Sequence, residues 1–263
     1  MPASATEVNA ILVFGGDGTV HRHLPQLVKL GVPVLIVPCG SGNDFARSLK
    51  LRNKRDSLAA WRRFVARAAN VRTIDLGKIT EASADSRSNH PATTHYFCCV
   101  AGVGLDTEVA RAANRLPAWL RGHGGYALSI PGALLRFAPF PMKLLEADGG
   151  GSWFLRSDVP ISLVAFANGP FFGGGMKIAP EANMEDGKLD VCLVRGTNPF
   201  KLVWMFPTIY FGRHLELDPV QYFKAERARV ETEHRLDVYA DGEYVCHTPI
   251  EIGTVARALP VIV

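Results

Sequence analysis

The chain has 263 residues, of which 48% are hydrophobic and 21% charged, and its formal net charge is +4. This balance is typical of a globular protein and excludes disordered and collagen-like chains. No apolar run reaches the roughly 18 residues that a membrane span needs, and residues 1–10 lack the basic start and apolar stretch of a secretory signal. The sequence therefore predicts a cytoplasmic protein that does not cross a membrane.

The cysteines indicate a reducing environment. Their number is odd and no CxxC spacing occurs among Cys39, Cys98, Cys99, Cys192 and Cys246. Cys98 and Cys99 fall in a predicted strand, where neighbouring side chains point to opposite faces, which makes them poor disulfide partners. We expect reduced cysteines that serve as small apolar residues; a metal or redox role is the alternative.

Positive charge is concentrated between residues 47 and 72, where nine Lys and Arg residues have Asp56 as their one acidic neighbour. A solvated helix face is one interpretation of this run, and an anionic membrane surface or nucleic acid is another. Aromatic residues do not interleave the run as a base-stacking platform requires. We therefore place membrane lipid above nucleic acid and predict no nucleic-acid partner.

The first predicted elements are a strand, a glycine loop and a helix. Ala10–Phe14 is a continuous apolar run, typical of a strand buried on both faces. Gly15–Thr19 follow, and Val20–Leu30 show apolar residues near helical spacing before Gly31 and Pro33 end the helix. A glycine loop at this junction predicts an anion site, because backbone N–H groups and the helix N-terminus face the ligand.

Within this loop, Thr19 offers a hydroxyl and Asp17 a carboxylate. Asp17 alone would repel a phosphate, so its presence implies a magnesium ion or an organising role toward one. An ordinary Asp-Gly turn is the alternative interpretation.

A second loop follows the next predicted strand, Val34–Val37. Residues 38–43 contain two glycines, and Asn43 or Asp44 can cap the helix that begins there. Ligands of open α/β sheets bind outside the carboxyl ends of the strands. We therefore expect both loops to face one cleft.

From about Thr73 the pattern changes to short strands. The clearest predicted strands are Thr73–Ile79, His95–Ala101, Val159–Ala167, Leu189–Val194, Arg227–Thr232, Leu236–Ala240 and Glu243–His247. Leu105–Arg136 are predicted to be helical with breaks, and Asp241-Gly242 is a hairpin turn signal.

The predicted fold class is α/β plus β: a small, truncated Rossmann-like parallel-sheet nucleotide domain, followed by a mainly antiparallel β-sandwich-like domain. The predicted boundaries are 1–72 and 73–263, with the last residues packing back on the first domain.

These motifs resemble the diacylglycerol kinase catalytic-domain family, which includes bacterial lipid kinases and the sphingosine and ceramide kinases. The family's Gly-Gly-Asp-Gly-Thr signature matches Gly15–Thr19. Its Pro-x-Gly-Thr-x-Asn-Asp segment resembles Pro38–Asp44, with Ser41 in place of threonine. Further matches are Ala167–Gly169, Gly173–Gly175, Ile178–Pro180, Asp186–Val191 and Asp241–Glu243.

The resemblance implies an ATP-dependent lipid kinase that uses ATP and Mg²⁺ and works on a membrane lipid at the membrane surface. The implied nucleotide-binding residues are Gly15, Gly16, Asp17, Gly18, Thr19, Gly40, Ser41 and Asn43. Asp75 would help to organise the catalytic magnesium, together with Asp17. Glu243 would be the general base that accepts the proton of the lipid hydroxyl. Turn chemistry alone would instead make Glu243 a surface hairpin residue.

The resemblance also implies a second, structural metal. Asp186 would bind it together with backbone carbonyls near Asn183 and Lys188, a set of oxygen ligands that suits a hard cation.

Two departures from the family pattern stand out. The family has asparagine or histidine and then glutamate where this chain has His21-Arg22, and Arg22 could alter the loop or bind an extra phosphate. A histidine in a first helical turn is more often merely solvated.

The family also begins with an Asn-Pro-x-x-Gly loop after an earlier strand, which is expected upstream of Ala10. The first two strands are too apolar to be exposed edges. Upstream sequence, a neighbouring subunit in a homodimer or the second domain is therefore expected to cover them.

Lipid access is predicted for the apolar region Leu105–Phe140, whose large side chains could equally be core. They are Trp119, Leu120, Tyr126, Leu134, Leu135 and Phe137. Two other functions remain open: a kinase related to NAD kinase or phosphofructokinase, and a catalytically inactive lipid-binding pseudokinase. Activity on NAD or fructose 6-phosphate would favour the first, and absence of ATP binding the second.

Overall fold

The structure is a computed structural model that describes residues 8–67, 69–81, 93–105, 132 and 134–263. Its bounded helices are α1 (Asp17–Leu30), α2 (Asp44–Ser48), α3 (Lys54–Val65) and α4 (Pro199–Met205), followed by the 3₁₀ helices Phe206–Phe211 and Arg213–Glu216. Its strands are β1 (Ile11–Gly15), β2 (Val34–Pro38), β3 (Val71–Glu81), β4 (Thr94–Phe97), β5 (Val100–Gly104), β6 (Met142–Ala147), β7 (Trp153–Ser157), β8 (Ile161–Ala167), β9 (Leu189–Arg195), β10 (Val220–Ala225), β11 (Arg227–Thr232), β12 (Asp237–Ala240), β13 (Glu243–His247) and β14 (Ile250–Ile262).

The first sheet is mixed and has the order β1-β2-β14-β11-β6-β7, with β3 pairing β14 and β4. β1 and β2 are parallel from the pair Ile11–Val34 onward, and Val261 near the end of β14 pairs in parallel with Val34. Every residue of β2 is buried, as expected of a strand with partners on both sides. Among the described residues β1 lies at the sheet edge, where Leu12 and Phe14 are 37% and 65% exposed. The prediction that this strand is buried on both faces is therefore wrong, because β1 has a partner on one side only.

The second sheet is antiparallel, with the order β10-β9-β8-β5-β12-β13. It packs face to face on the first sheet through a shared apolar cluster. Ile79 and Val230 from the first sheet meet Val103, Phe166 and Val191 from the second. Two sheets joined by alternating inward side chains form a β-sandwich.

The predicted fold class is confirmed: a parallel strand pair with helices precedes a mainly antiparallel two-sheet part. The loop after β2 and the strands β11 and β13 lie where the sequence predicts them. The first predicted loop, Gly15–Thr19, is shorter than expected, because Gly15 ends β1 and α1 already begins at Asp17.

The predicted single strand His95–Ala101 is wrong. It divides into β4 and β5, which belong to different sheets, and Cys98 and Cys99 form the bend between them. The bend forms because Asp241, a residue far along the chain, accepts hydrogen bonds from the backbone N–H groups of Cys98 and Cys99. The sequence pattern did not predict α3 or the 13-residue strand β14.

Most of the predicted helical region Leu105–Arg136, including Trp119, Leu120 and Tyr126, lies outside the described residues. In the described part of the chain, the helices are too short or too polar to cross a membrane.

Candidate active site

The two glycine loops lie against each other. A Cβ added to Gly16 would be 2.9 Å from the Cα of Gly40, so the backbones touch where side chains would not fit. Asn43, in a left-handed conformation with φ 55°, holds the second loop. Its Oδ1 accepts a hydrogen bond from Gly40 N at 2.9 Å, and its Nδ2 donates to Gly40 O at 2.6 Å. The structure therefore brings the two predicted phosphate loops to one edge of the sheet.

Asp17 connects the first loop to α2. Its carboxylate accepts hydrogen bonds from Asp44 N and Phe45 N, each at 3.0 Å, and so caps the N-terminus of α2. Burial raises the pKa of Asp17, against the effect of these two N–H groups. Thr19 and Ser41, whose hydroxyls were predicted to contact phosphate, are exposed.

The sequence predicts Asp44 as a possible helix cap and as the last residue of the family segment Pro38–Asp44, but not as a residue of the site. Asp44 is 4% exposed. Arg47 Nη1 donates to its Oδ1 at 2.6 Å, and Gly174 N donates to its Oδ2 at 2.7 Å. Burial and the charge of Asp17 raise its pKa to about 6. The spacing of Asp44 and Arg47, three residues apart on a helix, was the signal available in the sequence.

The carboxylates of Asp17 and Asp44 would be the ligands of a divalent cation here, and the cation would have to compete with the hydrogen bonds that their oxygens accept. Oδ2 of Asp17 and Oδ2 of Asp44 lie 3.0 Å and 3.7 Å from the position that a Cβ on Gly42 would take. Repulsion between these carboxylates contributes to the raised pKa of Asp44. A Mg²⁺ ion would relieve this repulsion and supply the oxygen-liganded cation that phosphoryl transfer uses.

Glu243 lies beside the first glycine loop. It begins β13, is exposed to solvent, and follows the Asp241-Gly242 turn. Its Oε1 is 2.6 Å from the position that a Cβ on Gly18 would take, so a side chain at position 18 would displace the carboxylate. The last strands of the chain and the first helix thus meet at Glu243.

The hydrogen bonds of the Asp75 carboxylate go to segments other than the glycine loops. Asp75 is 2% exposed, and its carboxylate accepts hydrogen bonds from Gly187 N and Arg257 N, both at 2.7 Å. These bonds connect β3 to β14 and to the loop before β9. Its predicted role toward the catalytic magnesium stays a prediction, and its hydrogen bonds go to the loop that contains Asp186.

The predicted second metal site is a loop with its own cation. Lys224 Nζ is 2.6 Å from Asp186 Oδ2 and 3.5 Å from Asp190 Oδ2, which is buried without a hydrogen bond. Asp186 Oδ1 accepts from Lys188 N, and the exposed Asn183 accepts from Glu185 N. The acidic pair fits a cation, but a metal ion would have to compete with Lys224.

A different group of possible metal ligands appears within the described residues, formed by Cys98, Cys99 and Asp241. Burial raises the pKa of Cys98 to about 12, and a hydrogen bond to Cys98 together with burial raises the pKa of Cys99 well above its ordinary value. Thiols must lose their protons to bind a metal, so this cluster favours a structural role. The cysteines, Cys98 and Cys99 included, are all free.

An apolar pocket lies beside the cleft. A short turn connects the two: Phe172 and Met176 pair through their backbones and line the pocket, while Gly174 at the tip donates to Asp44. The pocket is lined by Leu105, Leu134, Leu163, Phe172, Met176, Ile178, Val194, Leu202, Met205, Phe206, Ile209, His214 and Val220. The predicted lipid-access residue Leu134 is among them, whereas Leu135 is 48% exposed.

The chain matches known proteins along nearly its whole length. Residues 2–79 match the family described as the diacylglycerol kinase catalytic domain, and residues 99–263 match the YegS C-terminal NAD kinase beta sandwich-like domain. Diacylglycerol kinase of Mycobacterium tuberculosis H37Rv is 35% identical over 266 residues, which covers 99% of this chain and 78% of that protein. Diacylglycerol kinase of Bacillus subtilis is 27% identical, with coverage of 99% and 79%.

Solved structures show the same fold. A crystal structure from Bacillus anthracis str. Sterne has a TM-score of 0.72 at 26% identity and covers 98% of this chain and 78% of that one. Yeast NADH kinase is more distant, with a TM-score of 0.50 at 10% identity and coverage of 97% and 60%. That second likeness concerns the fold alone.

Proposed function

The chain belongs to the diacylglycerol kinase family of lipid kinases, and we propose that it transfers the γ-phosphoryl group of ATP to a hydroxyl of diacylglycerol or a related membrane lipid. Kinase activity on lipid follows from the family. The identity of the nucleotide, the metal ion, the base and the lipid is the proposed part.

The observation that carries the proposal is the position of Glu243. Its carboxylate lies against Gly18 in the first turn of α1, beside the proposed phosphate site, although the two residues are 225 positions apart. A base must lie within hydrogen-bond reach of the proton that it accepts. A lipid hydroxyl placed between Glu243 and the nucleotide satisfies this requirement.

In the proposed reaction, the lipid oxygen forms a bond to the γ-phosphorus of ATP while its proton passes to Glu243. The bond from the γ-phosphorus to the bridging oxygen breaks, and ADP leaves. Backbone N–H groups of Gly16–Gly18, at the N-terminus of α1, orient the phosphates. Mg²⁺ held near Asp17 and Asp44 would neutralise phosphate charge.

The apolar pocket is the proposed site of the lipid's hydrocarbon part. Its lining is apolar apart from His214, whose Nε2 donates a hydrogen bond to Ile178 O at 3.1 Å. Burial lowers the pKa of His214. A neutral imidazole keeps the pocket uncharged. The turn that carries Gly174 places the pocket next to the acidic pair, so a lipid could span both.

Contact with the membrane surface is proposed for the outer face of α4 and the following 3₁₀ helix. Phe200, Trp204 and Phe211 are 74%, 67% and 75% exposed. On the inner face of the same segment, Leu202 and Met205 line the pocket. Aromatic side chains favour the boundary between water and lipid, and this segment would place that boundary at the pocket wall.

The proposal is tested with Glu243→Gln and with Glu226→Gln, an exposed carboxylate elsewhere, as the matched control. Transfer of labelled phosphate from ATP to diacylglycerol in detergent micelles should fall by roughly 10² to 10⁴, the usual contribution of a general base. ATP binding and melting temperature should stay unchanged. Wild-type turnover by Glu243→Gln would refute the base, and transfer to NAD in place of lipid would favour the NAD kinase alternative.

A further inference from the structure

Asp241 is a buried carboxylate with an unusual number of donors. Its side chain has no exposed surface. Oδ1 accepts from Cys99 N at 2.8 Å and Val100 N at 3.2 Å, and Oδ2 accepts from Cys98 N at 2.9 Å and His21 Nδ1 at 3.2 Å. A carboxylate with this many hydrogen bonds is held in one position.

The backbone around Asp241 is equally constrained. Asp241 has φ 52° and Gly242 has φ 85°, the pair of positive angles that a two-residue hairpin turn of type I′ requires. Asp241 N also donates to Val100 O at 2.9 Å. The turn is therefore fastened to the bend between β4 and β5 by both the side chain and the backbone of one residue.

The same turn faces α1 at two points one helical turn apart. Gly18 and His21 lie three residues apart and so share a face of α1. Gly18 faces the carboxylate of Glu243, and His21 donates to Asp241. Burial opposes protonation of His21, but its hydrogen bond to Asp241 and the charges of Asp241 and Glu243 raise its pKa.

We propose that Asp241 is a positioning residue for Glu243. Its carboxylate, held by the bend at Cys98–Val100 and by His21, fixes the turn against α1 and keeps the exposed Glu243 side chain at the glycine loop. This inference rests on the proposed function, because it assumes that Glu243 accepts the proton. A misplacement of about 1 Å in a reacting group can cost 10²-fold in rate, which is why a fixed turn matters for an exposed side chain.

The main test is a double-mutant cycle between Asp241→Asn and Glu243→Gln. The amide of Asn presents N–H groups where Oδ2 must accept, so the turn loses its fastening. In a Glu243 background, Asp241→Asn should lower kcat by roughly 10- to 100-fold, with KM for ATP and for diacylglycerol changed less than twofold. In the Glu243→Gln background the same substitution should lower the residual rate by less than threefold, because its effect passes through Glu243.

A second pair of variants covers the case in which Asp241→Asn does not fold. His21→Leu removes the donor from α1, whereas His21→Asn keeps a side-chain N–H that can reach Asp241. His21→Leu should lower kcat at constant KM, and His21→Asn should recover most of that loss.

The outcomes separate the two hypotheses. Equal kcat in folded Asp241→Asn and wild type, or equal rates in the two His21 variants, would overturn the positioning role. Losses that multiply in the Glu243→Gln background would overturn it too, because Asp241 would then act elsewhere. Full activity of Glu243→Gln alone would refute the base and the positioning role together. The other results named above would overturn the positioning role and leave the assignment of Glu243 as the base intact.

Discussion

The polar cleft around Asp17, Asp44 and Glu243 and the apolar pocket beside it are built in different ways. In the cleft, the carboxylates of Asp17 and Asp44 are held by backbone N–H groups of other segments. In the pocket, apolar side chains from β8, β9, α4 and the 3₁₀ helices surround a volume without directed bonds. Transfer of a phosphoryl group needs fixed atoms, whereas a hydrocarbon chain needs only space, so changes in the cleft should alter rate and changes in the pocket should alter lipid affinity.

The largest effect outside the reaction itself is expected at Asp44. Its folded pKa of about 6 lies above the ordinary value of 3.8, so the native state binds more protons than the unfolded state between these values. The stability that Asp44 contributes is therefore complete below about pH 4 and is lost as the pH rises through 6. A shift of this size is worth about 3 kcal/mol.

Asp44→Asn removes the charge, and with it the loss of folding stability that occurs when the pH rises through the pKa of Asp44. Its melting temperature should exceed that of wild type at pH 7, and the difference should close near pH 4. Added Mg²⁺ should narrow the difference at pH 7 by stabilising wild type. Asp158→Asn, at an exposed position, is the control. Melting curves that keep a constant offset from pH 4 to pH 7 would contradict the raised pKa.

The pocket is tested by filling it. Ile209→Trp places an indole ring where a lipid chain is proposed, and each methylene that it displaces costs about 0.8 kcal/mol. Excluding two methylenes should raise KM for diacylglycerol roughly tenfold, since 1.4 kcal/mol is a factor of ten, while KM for ATP stays unchanged. An equal rise in both constants would mean that the substitution disturbs the cleft.

Trp204→Ser is the matched change on the outer face of the same segment. It should reduce activity on lipid vesicles more than activity on detergent-dispersed lipid, because it removes surface contact without entering the pocket. Equal losses on both substrates would argue against membrane contact by α4.

The smallest effect is expected at Asp186. Magnesium should raise the melting temperature of Lys224→Met more than that of wild type, because Lys224 competes for the same carboxylate. Tenfold excess of Mg²⁺ over its Kd stabilises by about 1.4 kcal/mol, equivalent to a few degrees. Chelation should reverse the gain, and Asp186→Ala should abolish it. Melting temperatures that change with neither magnesium nor chelator would contradict a metal site at Asp186 and leave Lys224 as the cation that pairs with it.

Local patterns were enough to predict the first half of the site. The strands β1 and β2, the turn at Gly16, the loop after β2 and the start of α2 follow from apolar runs, glycines and helix caps that act within a few residues. The hairpin at Glu243 could also be predicted from the sequence, because an Asp-Gly pair between apolar runs favours a tight turn. The fold class and the membership in a lipid kinase family rested on these signals.

Tertiary structure decided what the polar side chains do. His21 could have been solvated, and Asp44 and Asp241 could have been ordinary cap and turn residues. Asp44 and the side chain of Asp241 are buried and His21 is partly buried, and each has a partner from a segment more than 100 residues away: Asp241 for His21, Gly174 for Asp44, and Cys98–Val100 for Asp241. The division of residues 95–101 between two sheets and the shape of the pocket have the same origin. The local sequence indicates turns, helix caps and the periodicity of strands and helices. Burial and the pairing of distant residues depend instead on how the two sheets pack against each other.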